Sequence, residues 1–503
     1  MNQKWLNHEI WFSSISSQEA TKAHSFSSLR SPCKPIHYCM QSPITQTQLV
    51  ATPLPILPIP SAPQLQWQLT SVTLFIHFGP NTLRDSEWGT GEADPSLFNP
   101  TSLNTTQWVQ VAKDAGFNRV MLTAVLGTGD VIKELALSAK EAGVDLGLYL
   151  SPWDRHEVSY GKTLEYKEFY MGQMPELLTR YGEIKEAWLD SAKGEGEKDM
   201  DYFFDSWWIG DEAGVADSTC WSLFNRSSVK IGDTDPKYSQ EGDPSGHDWV
   251  PAECDVSIRP GWFWHASEIP KSAMRLLDIY YKSVGRNCLL LVNVPPNSSG
   301  LVSAEDIKNA FLTASSTRGS SNDSVLTPTM SWKKESRHIG LLRRINLIGS
   351  SIDLPGPVAF NVLQVQEPIH MARIIEFHLE IEKDGDWKKV MNGTTVGYQR
   401  LLQFPTVESQ HLKFVIDKTW ADPLVSFWGL YMDTFSSMVN KYDNSSRVEC
   451  LSKPDRCNRY MNNSEDPSRS FGRVIWKSSL SFLEKIAWKI DFSFNNINGP
   501  ARI

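Results

Sequence analysis

Residues 118–152 read NRVMLTAVLGTGDVIKELALSAKEAGVDLGLYLSP. A run of largely apolar residues gives way to a short joint, an amphipathic segment and a second apolar run, LGLYLSP (146–152). Asp130 stands where a helix cap is wanted and Gly143 where a helix ends, so 130–143 reads as a helix between two strands. Strands that are apolar throughout, with helices between them, indicate a parallel sheet covered by helices. The alternation extends outward in both directions. TLFIHFG (73–79) and EAWLDSA (186–192) read as strands, and 106–116 and 164–181 as helices. A helix at 270–284, strand CLLLVNVPP (288–296) and a short helix from Ala304 follow later. Several strands end in polar or aromatic clusters: IHFG, SPWDRHE, WLDSAKG. That is where a (β/α) TIM-like barrel carries its chemistry. At DYFFDSWWIGDEAG (201–214) the alternation falters, leaving fewer than eight strand–helix units, so the barrel is expected to be incomplete.

The flanks read differently. Residues 1–52 are polar, rich in Ser and Gln, and expected to be disordered up to the Pro-rich lead-in PLPILPIPSAP (53–63). The barrel is assigned to 53–312. Over 313–435 the strands AFNVLQVQ, RIIEFHLEIE, LKFVID and VSFWGLYMD alternate with turns and have no helices between them, which predicts a β-sandwich. The tail 436–503 is polar and carries no clear element.

With 58 acidic and 49 basic residues the net charge is −9, spread along the chain, which argues against nucleic acid or an anionic membrane as partner. No apolar run approaches the ~20 residues of a membrane span. The start, MNQKWLNHEIWFSS, lacks the apolar stretch of a signal peptide. N-x-S/T triplets nevertheless occur at Asn104, Asn225, Asn297, Asn322, Asn392, Asn444 and Asn462, which would be glycosylation sites only in the secretory pathway. The cysteines show no metal-ligand spacing, and no metal is expected; Cys220 and Cys254 could pair, although connectivity cannot be read from sequence. The 19 tryptophans cluster beside acids, His or Gly, as in EWG, PWD, AWLD and GWFWH. Core filling accounts for some, and flat platforms for sugar rings account for the clustering.

Asp190, closing the strand in AWLDSAKG, could be a nucleophile, a metal ligand or a helix cap. Glu212 in WWIGDEAG has an apolar surround of the kind that keeps a carboxyl protonated, or is a surface acid in a turn. Together they form the pair of carboxylates that a glycosidase uses. His77, ending the first strand, could bind a sugar hydroxyl or be structural; Glu87 and Trp88 set a carboxylate beside a ring.

FIHFGPNT, DSEWGTG, WVQVAKDAGFNRVMLTA, GLYLSPWDRHE, AWLDSAKG, DWVPAECDVSIRPGWFWH and LLLVNVPPNSSGL, in this order, resemble the plant α-L-fucosidases of glycoside hydrolase family 29. The resemblance implies a (β/α) barrel and a galactose-binding-like sandwich. It also implies hydrolysis of terminal α-L-fucose, α-1,3/1,4-linked on glycans, with retention and no cofactor, and location outside the cell. By the same resemblance Asp190 is the nucleophile and Glu212 the acid/base, with Asp211 where Asn is usual. His77, Glu87, Trp88, Trp188, Trp262 and His265 fall at substrate-binding positions. The family's K-H-H-D-G-F after LTA has no counterpart here, where VLGTGD follows. A second gap falls between Trp208 and Ile209, removing a helix and a strand, and a third near 310–314. A carbohydrate-binding remnant without catalysis is the alternative reading.

Overall fold

The computed structural model describes residues 57–124, 130–190, 207–208, 212–228, 235–310 and 351–433. The expectations for 1–52 and 436–503, and the sequons at Asn322, Asn444 and Asn462, lie outside them. Contacts divide the chain into Met1–Thr52 and Pro53–Ile503, and every described residue belongs to the second unit.

The strands of the first half are β1 (Val72–Ile76), β2 (Arg119–Thr123), β3 (Asp145–Tyr149), β4 (Ile184–Trp188), β5 (Trp207–Trp208), β6 (Leu223–Phe224), β7 (Asp248–Trp249), β8 (Ala252–Ser257) and β9 (Leu289–Asn293). Seven of them form one sheet in the order β4-β3-β2-β1-β9-β8-β5, every pairing parallel. This is the expected TIM-like architecture. Among the described residues no pairing joins β4 to β5, and β5 is two residues long; residues 191–206 and 209–211, where the second gap is expected, lie outside the description. The helices begin and end as their sequences dictate. Asp130 accepts a hydrogen bond from Lys133 N at 2.9 Å, and Gly143 closes that helix at φ 69°, a conformation open to glycine at little steric penalty.

A sheet with both faces buried divides its residues by parity. Outward, Leu74, Ile76, Val120, Leu122, Leu146, Leu148, Cys254, Val256, Leu290 and Val292 join the core that includes Trp108 and Leu135 of the covering helices. Inward, Phe75, Met121, Tyr149 and Leu291 form a separate cluster, with Trp188 and Trp262 packed against it. The same inward parity buries charge. Arg119 Nη1 meets Glu186 Oε2 at 2.5 Å with side chains 3% and 8% exposed, and Trp67 Nε1 donates to the other Glu186 oxygen at 2.7 Å. Strand β8 is absent from the sequence reading because Glu253 and Asp255 interrupt its apolar character; both face inward and are buried.

Cys254 is bonded to Cys288, which tethers β8 to the start of β9, and Cys220 is free and buried. The pairing considered from sequence, Cys220 with Cys254, is therefore corrected: Cys254 bonds the residue just ahead of the strand that pairs with its own.

The C-terminal β-sandwich is built from β10 (Ser351–Gln366), β11 (Ile374–Lys383), β12 (Asp386–Thr394), β13 (Arg400–Thr419) and β14 (Phe427–Tyr431), antiparallel in the order β12-β11-β13-β10-β14. Its core centres on Phe360, Leu363, Phe377, Leu379, Leu412 and Phe414. Two features exceed the sequence reading. Asp384 and Gly385, both at positive φ, turn β11 into β12 as an Asp-Gly hairpin. Strand β13 continues through Pro405, which sits where its pairing with β10 is interrupted. This domain is fastened to the barrel at Asn287. Its Oδ1 accepts from Tyr398 N at 2.8 Å and its Nδ2 donates to Ser222 Oγ at 2.9 Å, while Leu401 N donates to Gly285 O at 2.9 Å.

Arg119→Met should lower stability by ~3–5 kcal/mol, because Glu186 would stay buried without its guanidinium. Urea denaturation measures this. The double variant Arg119→Met/Glu186→Leu should recover most of the loss, and an unchanged midpoint for the single variant would contradict the pairing.

Candidate active site

Two of the sequence-derived residues stand at the C-terminal rim through strand parity. His77 follows Phe75 by two residues and Asp190 follows Trp188 by two, so both continue the inward-facing rows of β1 and β4 past the strand ends. His77 Nδ1 lies 3.0 Å from Asn293 Oδ1, which also accepts the His77 backbone N–H at 3.2 Å. Asn293 Nδ2 donates to Ser257 Oγ and to Trp262 O, both at 2.8 Å, which fixes the amide orientation. His77 therefore carries its proton on Nδ1, leaving Nε2 as an acceptor. Burial pushes its pKa down to about 4, only partly opposed by the Asn293 bond, so the ring is neutral near pH 7.

Tyr149 donates its hydroxyl to Asp190 Oδ2 at 2.8 Å. Burial first, and the Asp190 charge second, hold the Tyr149 pKa well above its usual value, so it remains a donor. Trp188 stands 4.9 Å from Tyr149 between ring centroids, and Trp262 stands 5.1 Å from His77. These rings form an aromatic wall beside a half-buried carboxylate. A flat apolar wall, a carboxylate and a neutral imidazole suit a sugar ring with an electrophilic carbon.

Glu87 and His265 are brought together, as a clamp between loops. Glu87 Oε1 accepts Trp262 N at 2.7 Å, and Oε2 accepts Phe263 N at 3.2 Å and His265 Nε2 at 3.1 Å. His265 Nδ1 meets Asp85 Oδ1 at 2.8 Å. Gly261 lies so close that a Cβ there would fall 2.5 Å from Glu87 Oε2. The clamp seats the loop that carries Trp262. Trp88 is half exposed, its ring 5.1 Å from that of Trp153, over which the Arg155 guanidinium lies at 4.7 Å. Glu212 opens the stretch 212–228 and is exposed. Two residues on, Gly214 lies close enough to Val256 of β8 that a Cβ would stand 2.9 Å from it. Among the described residues no three His, Cys, Asp or Glu groups are arranged to hold a metal. The residues after LTA, 125–129, lie outside the description.

Tyr149 and Asn293 complete the site and are weakly signalled in the sequence. The signal is a polar side chain on the inward parity of an otherwise apolar strand, as in LLLVN and GLY.

A family model described as alpha-L-fucosidase matches residues 125–314. Alpha-L-fucosidase 1 of Arabidopsis thaliana is 55% identical over 452 residues, covering 76% of this chain and 89% of that protein. An alignment of 452 residues that takes up 76% of a 503-residue chain means that the relative has stretches this chain lacks. The crystal structure of SpGH29 is 33% identical with a TM-score of 0.66, covering 75% of this chain and 99% of that one. A Ruminococcus gnavus GH29 fucosidase in complex with fucose is 25% identical with a TM-score of 0.64, covering 77% and 97%.

His265 links the clamp to pH. Burial alone would lower its pKa, but the Asp85 and Glu87 carboxylates outweigh it and raise the value above the usual 6.5. The folded state thus binds this proton more tightly than the unfolded one, so the clamp's contribution is complete below pH ~6.5 and fades as pH rises through the raised value. Urea midpoints of the wild type and His265→Gln should differ most at about pH 5.5–6 and by less as pH rises through the raised value. A gap that widens with rising pH would contradict this.

Proposed function

The chain belongs to the α-L-fucosidases of glycoside hydrolase family 29, and from the site we propose that it releases terminal α-L-fucose, α-1,3/1,4-linked on oligosaccharides or glycoproteins, with retention. Asp190 is the nucleophile: Oδ1 or Oδ2 attacks the anomeric carbon as the glycosidic C–O bond breaks, giving a fucosyl-enzyme. Glu212 protonates the departing oxygen and then takes a proton from the water that hydrolyses the intermediate. The observation that carries this reading is the bond from Tyr149 to Asp190 beside the Trp188 ring. One carboxylate oxygen is held by a donor, so the group is aimed and need not reorganise to attack. The neutral His77 ring offers Nε2 to a fucose hydroxyl, and Trp262 and Trp188 offer faces to the apolar side of the sugar.

Two observations support a location outside the cell. The core holds a disulfide, Cys254–Cys288, as expected of an oxidising compartment. Asn104 and Asn392 are exposed and Asn225 and Asn297 half-buried, and at Asn104, Asn225 and Asn297 the Oδ1 accepts a nearby N–H, so the side-chain amide nitrogen faces glycan attachment. A binding-only reading is favoured by one observation: the Arabidopsis relative has stretches that this chain lacks.

Hydrolysis of an aryl α-L-fucoside followed by proton NMR should show α-L-fucose appearing first. Asp190→Gly should lose on the order of 10³-fold or more in turnover, and azide should then yield β-L-fucosyl azide. First appearance of β-L-fucose would exclude retention, and fucose binding without release would favour the binding-only reading.

A further inference from the structure

Two side chains meet across the lumen from opposite ends of the sheet. Trp188 closes β4, the strand at one end; Glu253 lies on β8, next to last at the other. Trp188 Nε1 donates to Glu253 Oε1 at 2.6 Å. No backbone ladder joins those two ends among the described residues, where this bond links them at side-chain level. Glu253 is 2% exposed, and its Oε2 is buried with no hydrogen-bond partner among the described residues. Burial first, and the neighbouring Glu186 charge second, raise its pKa well above the usual carboxylate range, against the opposing effect of the Trp188 bond and Arg119. A protonated carboxyl can sit there without a counter-ion and still accept the indole N–H through its carbonyl oxygen. A leucine would fill similar space with no desolvation penalty and no acceptor. The distinctive property of the acid at this position is thus its bond to Trp188. That ring in turn packs 4.9 Å from Tyr149 and 5.4 Å from Phe75, and the Tyr149 hydroxyl holds Asp190.

We propose that Glu253 is a positioning residue: it anchors the Trp188 indole across the lumen and so fixes the wall against which Tyr149 holds Asp190. The kinetic part of this inference rests on the hydrolase reading, and the placement of the indole does not. The test uses the full chain labelled with ¹⁵N at tryptophan, with the Trp188 indole signal identified from Trp188→Phe. The wild-type indole N–H should be protected from solvent exchange. Glu253→Gln keeps an acceptor and should keep that protection, with kcat on an aryl α-L-fucoside within about threefold. Glu253→Met should release the protection and lower kcat by about tenfold or more, with KM changing less. A protected indole in Glu253→Met, or an unchanged kcat, overturns the proposal. Should Glu253→Met fail to fold, Trp188→Phe removes the donor from the other side, and a wild-type kcat in that variant overturns it equally. If the unaltered chain releases no fucose, the hydrolase reading fails and exchange of the indole proton alone decides the positioning role.

Discussion

The structure depends on one constraint: a parallel sheet packed on two faces gives its strands an outward row and a lumenal row, and a polar group buried on the lumenal row is costly without a partner. Polar residues on the lumenal row therefore have to find each other. Arg119 finds Glu186, Trp188 finds Glu253, and His77 finds Asn293. These pairs connect strands that are not neighbours in the sheet, or fix a side chain at a strand tip. The site at the rim is the uppermost of these pairings, with Tyr149 and Asp190 as its members nearest to solvent.

The chemistry of the rim follows from how deeply each group is sunk. Burial keeps His77 neutral and Tyr149 protonated, while Asp190, half-buried, sits with a hydroxyl donor on one oxygen. Close to the same wall, His265 has the opposite fate, because two carboxylates reach its two nitrogens. Two nearby histidines are thus shifted in opposite directions, His77 downward by burial and His265 upward by the carboxylates that brace its loop. Glu87 acts largely through the backbone: two main-chain N–H groups and one imidazole of the loop from Trp262 to His265 converge on its two oxygens.

Much of this is legible in the sequence where local chemistry and burial agree. Apolar runs mark β1, β2, β3 and β9, and Asp130 and Gly143 mark the helix between β2 and β3. The placement of His77 and Asp190 at strand tips follows from those strands. What is not legible has a common cause, in that long-range pairing decides it. Strand β8 hides behind Glu253 and Asp255, which are tolerated only because the lumen supplies partners or suppresses charge. Cys254 pairs with Cys288 because their strands are neighbours, which spacing does not reveal. Tyr149 and Asn293 look like ordinary strand residues until the ring of strands brings them beside Asp190 and His77. The hairpin at Asp384–Gly385, by contrast, is a local signal, readable from the dipeptide alone.

The seam at Asn287 bears on how this protein can be cut and recombined. Its backbone stands at φ 66°, and Gly397 comes so near that a Cβ would fall 2.5 Å from Asn287 Cγ. Arg400 donates to Ser218 O at 2.7 Å, and Tyr281 to Asp433 Oδ2 at 3.1 Å, across the same junction. Asn287 sits just ahead of the strand that ends in Asn293, so the C-terminal sheet buttresses the strand from which His77 is held. A graft of the barrel onto an unrelated partner, or expression of residues up to about 310 alone, would exchange these bonds for bonds to water and expose apolar surface that the seam now covers. A cut at this boundary therefore leaves two surfaces shaped for each other, so the pair is the unit to transplant.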